Sequence, residues 1–330
     1  MIITKTPFRM SFFGGGTDMP SFFETKKGAV LSTTFNKYCY VTVRPLPHFF
    51  DYSSEIVYSK IERVKDIADI NHPAVRNAME MLNIENIRLT YEADLPARTG
   101  LGTSSSFAVG MLNAFHCLKG QYVSKESLAK EAIFLERVLC AEAGGWQDQI
   151  ASSFGGLNRI DFSNETFSVK PVIINPKRKK ALNECLMLFF TGFTRFSAEI
   201  QKSNTYSKEN KILDEMVQMV DVAESILIDG RQPLDNFGRL LGESWNLKRE
   251  LGNKISTSSI DDFYKKAISA GALGGKLLGA GGGGFLLFYV DPDAQDSVRK
   301  ALSDLLEVPF CFEEKGTDVV YYQPESLCNK

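Results

Sequence analysis

Pro96-Ala97-Arg98-Thr99-Gly100-Leu101-Gly102-Thr103-Ser104-Ser105-Ser106 separates a strand pattern from a helix pattern. Upstream, Ile87, Leu89 and Tyr91 alternate with Arg88, Thr90 and Glu92, which is the period of a half-buried strand. Pro96 and the small residues after it end that strand. Downstream, Ala108, Met111, Leu112 and Phe115 recur at i, i+3, i+4 and i+7, so a helix starts close to Ser104. A strand, a glycine-rich loop and a helix follow in that order, which aims a helix N-terminus at whatever lies against the loop. Gly100 and Gly102 let backbone N–H groups approach a ligand, and the hydroxyls of Thr103, Ser104, Ser105 and Ser106 can donate to phosphate oxygens. The helix end alone contributes about 0.3–1 kcal/mol toward an anion, so hydroxyls and several N–H groups must share the work. Such a turn is also commonly a plain connector. A P-loop is excluded, because no Gly-Lys-Ser or Gly-Lys-Thr closes it.

Working outward, Val30 to Arg44 has the β-branched and aromatic content of a strand. Before it, Pro7-Phe8-Arg9-Met10-Ser11-Phe12-Phe13-Gly14-Gly15-Gly16-Thr17-Asp18 sets an arginine and an aspartate across a triple-glycine turn. Such a turn lets a ligand lie against backbone, with Asp18 accepting from hydroxyls and Arg9 neutralising developing negative charge. The plainer account is a tight turn whose aspartate caps the next helix. After the loop, Ser124 is a plausible N-cap for a helix with the stripe Leu128, Ala132, Leu135 and Leu139, expected to stop at Gly144 and Gly145. On that helix Glu136 falls at the flank of the stripe, where a carboxylate can reach a cleft without entering the core.

The second half opens on a strand at Cys185 to Phe190. Helices follow, around Ile212 to Ala223, Phe237 to Leu251 and Ile260 to Ala270. Phe285 to Val290 is a buried strand, followed by a helix from about Ala294 to Leu305 and a strand near Pro309 to Phe312. Gly279-Ala280-Gly281-Gly282-Gly283-Gly284-Phe285 formally contains G-x-G-x-x-G, but a dinucleotide site needs a strand before it and a helix after it. A helix before and a strand after is the expectation here, so the loop reads instead as backbone pressed against another domain or a ligand. The elements lack a regular βαβ cadence, and the fold class is α+β. Pro176 and the basic run Lys177, Arg178, Lys179 and Lys180 read as a linker or exposed edge, dividing the chain into 1–176 and 177–330.

Composition bounds the chemistry. With 330 residues and a net charge of -2, no single-sign field exists to hold nucleic acid or an anionic membrane, and a small neutral or anionic ligand fits better. Six cysteines (Cys39, Cys117, Cys140, Cys185, Cys311 and Cys328) form no C-x-x-C pair, which argues for reduced core thiols over zinc or disulfides. Neither a secretory leader nor a membrane span is read from the chain, so a cytoplasmic location is expected.

Taken in order, Pro7 to Asp18, Pro96 to Ser105 and Lys276 to Gly284 resemble three motifs of the galactokinase–homoserine kinase–mevalonate kinase–phosphomevalonate kinase (GHMP) superfamily. These are P-x-R running to Thr-Asp, P-x-x-x-G-L-G-S-S, and K-x-x-G-A-G-x-G-G; Thr103 stands where the family usually has serine, keeping the hydroxyl. The resemblance covers the chain nearly end to end. It implies the GHMP kinase two-domain fold, with an N-terminal domain like the second domain of ribosomal protein S5 and a ferredoxin-like C-terminal domain. It further implies ATP and Mg²⁺, the nucleotide against Pro96, Gly100, Leu101, Gly102, Thr103, Ser104, Ser105 and Ser106, and the metal on Ser104 and Glu136. The family's catalytic aspartate matches Asp148, in Gly144-Gly145-Trp146-Gln147-Asp148-Gln149, with Arg9 beside it to steady the transferring group. Substrate contacts are expected from Gly15, Gly16, Thr17, Asp18, Gly281 and Gly282.

Galactokinases carry Glu-His at the positions of Gly15 and Gly16, so this chain lacks two sugar-contacting side chains. The Gly-Gly-Gly-Thr-Asp and Gly-Gly-x-Gln-Asp-Gln forms look most like bacterial D-glycero-D-manno-heptose 7-phosphate kinases, which phosphorylate the anomeric hydroxyl. L-fucose kinases are the rival sugar reading, and a sugar or nucleotide sensor without catalysis is the rival class. A heptose phosphate calls for a cation at its distal phosphate, and the candidates are Lys37, Arg98 and Arg195. The partner expected is a small sugar or sugar phosphate.

Overall fold

The computed structural model describes residues 1–47, 49–164, 166–192, 206–252, 255–279 and 281–323, with backbone alone over 206–210. Arg195 and Cys328 therefore lie outside the described residues, as does Ala280.

β1 (Ile2–Phe13) and β2 (Gly28–Pro45) run antiparallel along nearly their whole lengths, joined through the glycine turn and α1, a single turn at Pro20–Phe23. β3 (Ser54–Val57) and β4 (Ile61–Val64) make a hairpin, and after α2 (Pro73–Leu82) the chain enters β5 (Ile87–Ala93). β5 pairs antiparallel with β2 and parallel with β3. α3 (Thr103–Leu118), α4 (Lys125–Phe134) and α5 (Gln147–Phe154) follow, and then the hairpin of β6 (Asn158–Ser163) and β7 (Thr166–Pro171), with β6 paired to β2. Apolar side chains of α3, Val109, Met111, Leu112 and Phe115 among them, are fully buried with Val41, Val43 and Leu89 of the sheet.

The second half starts with α6 (Pro176–Glu184), which corrects the linker reading: Asn175 caps it by accepting from Lys177 N–H, and Pro176 sits where its missing N–H costs nothing. Nor is the basic run wholly solvated, since Arg178 donates to the carbonyls of Ile226, Leu227 and Gln232. β8 (Leu186–Phe190), α7 (Tyr206–Ile228), α8 (Asp235–Glu250) and α9 (Ser258–Ser269) lead to β9 (Ala272–Leu277) and β10 (Phe285–Val290). α10 (Gln295–Ala301) is shorter than the 294–305 span expected, and β11 (Leu306–Glu307) follows. The sheet order β11-β8-β10-β9, all antiparallel, is the 4-1-3-2 order of a ferredoxin-like βαββαβ unit.

The chain then returns to the first sheet. β12 (Phe312–Glu313) pairs with β2 and β13 (Asp318–Tyr322) with β1. One apolar core crosses both halves, joining Phe8, Phe12 and Phe13 of β1 to Phe237 of α8 and to Leu287 and Tyr289 of β10. Burying large aromatic side chains at about 25 cal/mol per Å² makes this shared core a main source of rigidity between the sheets. Among the described residues the cysteines are free, Cys39 buried and Cys311 exposed, and no helix is long and apolar enough to cross a membrane.

Candidate active site

The loop after β5 turns on Gly100 and Gly102, with φ of +84° and +72°, a region that favours glycine. Gly102 is the N-cap of α3, and no side chain caps that helix, so its first N–H groups are available to an anion. Pro96 and Ser104 are exposed, whereas Leu101 is fully buried in the shared core and its carbonyl accepts from Arg9 N–H at 3.1 Å.

Arg9 comes from a stretch where β1 slips register against β2, between Pro7 and Phe8 and again between Ser11 and Phe13; such irregularities re-aim side chains. Its guanidinium donates from Nε to Asp148 Oδ1 at 2.8 Å, stands 2.7 Å from the same oxygen through Nη2, and donates from Nη1 to Gly100 O at 2.7 Å. Three parts of the sequence thus converge: β1, the glycine loop and the first turn of α5. The Arg9 side chain is 4% exposed and that of Asp148 is 23% exposed, so the carboxylate is the open member of the pair. A carboxylate so held beside a helix N-terminus can take a proton from a hydroxyl approaching the loop.

Glu136 departs from its expected place. It is 1% exposed, not at a surface flank. Glu136 follows the buried Ala129, Ala132 and Ile133 at i+7, i+4 and i+3, on a buried face wider than the leucine stripe; the helix then does not continue regularly, residues 135–139 forming a π turn that ends at Cys140, short of Gly144. Leu139 is correspondingly half out of the core at 39% exposure. The buried carboxylate accepts from Ser104 Oγ at 3.0 Å, from Ser105 Oγ at 2.7 Å and from Gln149 Nε2. All three donors are neutral, and burial raises its pKa against the lowering by Ser105 and the Arg137 charge. An ionised carboxylate there lacks a bonded cation. One hydroxyl and one carboxylate are hard oxygen donors of the kind Mg²⁺ takes alongside phosphate oxygens and water, so the residues fit that ion. Among the described residues no cluster of three His, Cys, Asp or Glu could hold a metal without a ligand's help.

Several expected contacts turn out to be spent inside the protein. Ser106 is fully buried, with its hydroxyl on Pro7 O and Ser152 Oγ, so it holds β1 to α3 and α5 and cannot donate to a phosphate. Ser105 serves Glu136, and Thr103 Oγ1 accepts from Arg98 N–H at 3.3 Å. Thr17 is likewise fully buried, its hydroxyl within reach of Gly14 O and Ala29 O and accepting from Ala29 N–H, which fastens the turn instead of meeting a substrate. Asp18 caps a helix, but α5 and not the next one: Oδ1 accepts from Gly16 N–H at 2.9 Å and Oδ2 from Gln147 N–H at 3.3 Å. Burial raises its pKa, and the neighbouring Asp148 charge pushes the same way. Gly145 lies directly on this carboxylate, since an added Cβ would fall 1.8 Å from Asp18 Oδ2. Gly15 and Gly16 are half-exposed beside it.

The glycine loop at 279–284 is preceded by β9 and not by a helix, so it joins two strands; no helix follows, and the dinucleotide reading fails on that side. Its backbone is pressed against the first half. An added Cβ on Gly279 would sit 2.3 Å from Gly100 Cα, and one on Gly284 would sit 2.1 Å from Thr99 O. Gly281 and Gly282 lie instead against Ile255, whose carbonyl accepts from Gly282 N–H at 3.1 Å. Replacing Gly284, at φ +117°, with alanine adds both strain and a backbone clash. A loss of about 2–4 kcal/mol in denaturant titration is expected, and an unchanged midpoint would refute the packing account.

Lys276, the lysine that opens the third motif, and Lys248, which no sequence pattern singles out, both turn inward. Lys276, 2% exposed, reaches from β9 to donate to Phe12 O at 2.7 Å, and Lys248 of α8 donates to Gly279 O. Burial, together with the positive charges of Lys248 and Arg9, holds Lys276 well below the usual lysine range. Arg137 was missed too; it donates to the carbonyls of Glu142 and Gly145 and so braces the turn that leads into Asp148. Of the candidates for a distal phosphate, Arg98 is exposed in the loop before Gly100 at φ +62° and Lys37 is half-buried on β2, while Arg195 lies outside the described residues.

With this geometry in view, comparison with known proteins is direct. The family descriptions "GHMP kinases N terminal domain" and "GHMP kinases C terminal" match residues 67–156 and 227–308. The chain belongs to the GHMP kinases. Members of this family use ATP as phosphate donor, and the chain is an ATP-dependent kinase. It is 30% identical to the D-glycero-alpha-D-manno-heptose 7-phosphate kinase of Campylobacter jejuni, over 91% of this chain and 93% of that one. It is 25% identical to the bifunctional fucokinase/GDP-fucose pyrophosphorylase of Arabidopsis thaliana, over 92% of this chain but 31% of that longer one. Among solved structures, a D-glycero-D-manno-heptose 1-phosphate kinase from Bacteroides thetaiotaomicron superposes with a TM-score of 0.80, covering 97% of this chain and 99% of that one at 23% identity, which speaks for the fold of this GHMP kinase.

Proposed function

We propose that this GHMP kinase is a sugar kinase that transfers the γ-phosphoryl of ATP to the anomeric hydroxyl of D-glycero-D-manno-heptose 7-phosphate. The observation that carries the reaction type is the Arg9–Asp148 pair beside Gly100 and Gly102 at the open N-terminus of α3. Phosphoryl transfer asks mostly for positioning and charge stabilisation, with one group to accept the hydroxyl proton. Asp148 accepts that proton. Arg9 fixes the carboxylate and offers positive charge toward the transferring group. The N–H groups opening α3 receive the triphosphate, and Ser104 with Glu136 would hold Mg²⁺. When bound, that ion offsets charge building on the phosphates.

The sugar is suggested by the half-open backbone at Gly15 and Gly16 beside Asp18, and by the heptose 7-phosphate kinase being the relative matched at 30% identity. Residues 1–176 then supply the nucleotide site and 177–330 the partner domain, with 312–322 returning to the first sheet. A sensor without catalysis has no use for the Arg9–Asp148 pair, which is why that reading is not favoured.

An ADP-release assay across D-glycero-D-manno-heptose 7-phosphate, L-fucose, D-galactose and D-mannose tests the proposal. The heptose phosphate is expected to give kcat/KM at least about 10²-fold above the others, because the groups those sugars lack, the phosphate above all, leave site groups unpaired. Faster turnover of fucose or galactose would replace the substrate, and stimulation by no sugar would point to the sensor.

A further inference from the structure

Three buried polar atoms in the site region lack a hydrogen-bond partner, Ser11 Oγ, Gln147 Oε1 and Gln149 Oε1; the Gln149 side chain already donates to Glu136, and the Ser11 and Gln147 side chains reach one glycine. Ser11 is 5% exposed and Gln147 is 8% exposed, so bulk water does not satisfy them. Native chains rarely leave such atoms orphaned away from a place where a ligand completes them. Turning the amide of Gln147 over exchanges an orphaned oxygen for an orphaned nitrogen and removes nothing.

Both side chains flank one glycine. An added Cβ on Gly15 would lie 3.5 Å from Ser11 Oγ and 3.7 Å from Gln147 Nε2, with no other non-adjacent residue within 4 Å. Gly15 is half-exposed, so the space between the two groups opens outward. Gln147 is also tied to both acids: its N–H donates to Asp18, and it directly precedes Asp148.

Resting on the sugar-kinase reading, we propose that Ser11 and Gln147 are the specificity pair of the sugar site. They read hydroxyls next to the one that is phosphorylated, and Gly15 stays bare so that the ring enters between them. The amide nitrogen, the Gln147 atom that stands at Gly15, only donates and so calls for a hydroxyl as acceptor, while the serine hydroxyl does either; a vicinal diol meets both. A sugar lacking one of those hydroxyls leaves a buried protein atom unpaired, and discrimination against deoxy sugars follows.

The test compares the wild type with Ser11→Ala, Gln147→Met and Gly15→Ala on the four sugars named above. For whichever sugar the wild type turns over, the deoxy analogue lacking the hydroxyl beside the phosphorylated one is added. Ser11→Ala and Gln147→Met are expected to raise sugar KM about 10-fold while KM for ATP stays within about two-fold. The wild-type penalty against the deoxy sugar should collapse in one of the two variants, a result that general loosening of the site does not produce. Gly15→Ala is expected to raise sugar KM with no loss of thermal stability, because Gly15 is not in the left-handed region and its new Cβ makes only ordinary contacts. If Gln147→Met does not fold, the other two substitutions decide. Unchanged sugar KM and retained deoxy discrimination in the folded variants overturn the inference alone. Failure of the wild type to turn over any of the sugars overturns the sugar-kinase reading as well.

Discussion

Asp148→Asn is expected to lower kcat by about 10²–10⁴-fold, the range a positioned proton acceptor supplies, while ATP affinity changes by less than about two-fold. The substitution keeps the shape and one of the two acceptor oxygens, which placed at Oδ1 still receives Arg9, and the α3 N-terminus is untouched. What disappears is the capacity to take a proton. Single-turnover measurements at saturating ATP isolate the chemical step, and turnover within a few-fold of wild type would sink the assignment. Arg9 offers a contrast. Its removal takes away the contact to Gly100 O as well as the ion pair, so both KM for ATP and kcat should move.

Glu136→Gln is expected to abolish the dependence of ATP affinity on Mg²⁺ and to reduce activity by at least about 10²-fold, yet to leave the fold as stable as wild type or more so. Burial raises the pKa of Glu136 above its ordinary 4.5, so the carboxylate form is the costly one in the free protein. The sign follows. Between pH 4.5 and the raised value the folded state binds the proton that the unfolded state has lost, so this group's contribution to stability is full below 4.5 and is lost as pH rises through the folded pKa. Metal affinity runs the opposite way and strengthens as pH rises through that pKa, since the ligand must shed its proton. In the glutamine variant both slopes vanish. Calorimetric titration of ATP with and without Mg²⁺, alongside thermal melts from pH 4.5 to 8, reads both; a variant that keeps the wild-type Mg²⁺ response would remove Glu136 from the ion's ligands.

Much of this architecture is written in local pattern. The alternation at 87–93 and the stripe from Ala108 to Phe115 locate β5 and α3 because both elements bury one face against a regular partner. The Ser124 cap is equally plain, its oxygen accepting from Ser127 N–H. Periodicity fails where the backbone departs from a regular repeat. The π turn at residues 135–139 carries Leu139 out of the stripe, while Glu136 shares a regular face with Ala129, Ala132 and Ile133 that a stripe drawn through the leucines leaves out. The run at 176–180 reads as a linker on charge alone, although Asn175 and Pro176 are a competent helix start. Hydroxyls mislead for another reason: Ser104 and Ser106 are alike in sequence, and only their opposite faces on α3 separate an exposed group from one consumed by Pro7 and Ser152. Likewise, the pairing of Arg9 with Asp148 spans 139 residues, a distance over which composition says nothing.

The return of residues 312–322 to the first sheet has a consequence for biosynthesis. β1 has β13 as its outer neighbour, and β2 accepts β12; both partners follow their strands by about 270 to 310 residues in the chain and are translated that much later. At about 5–20 residues per second, the strand edges of the first sheet wait roughly 15–60 s for their partners. During that interval the nascent chain exposes unpaired backbone that other chains can capture. A premature stop before Phe312 therefore injures β1 and β2 as much as the segment it removes, and a chaperone that shields β1 would matter more to yield than one acting on the ferredoxin-like half.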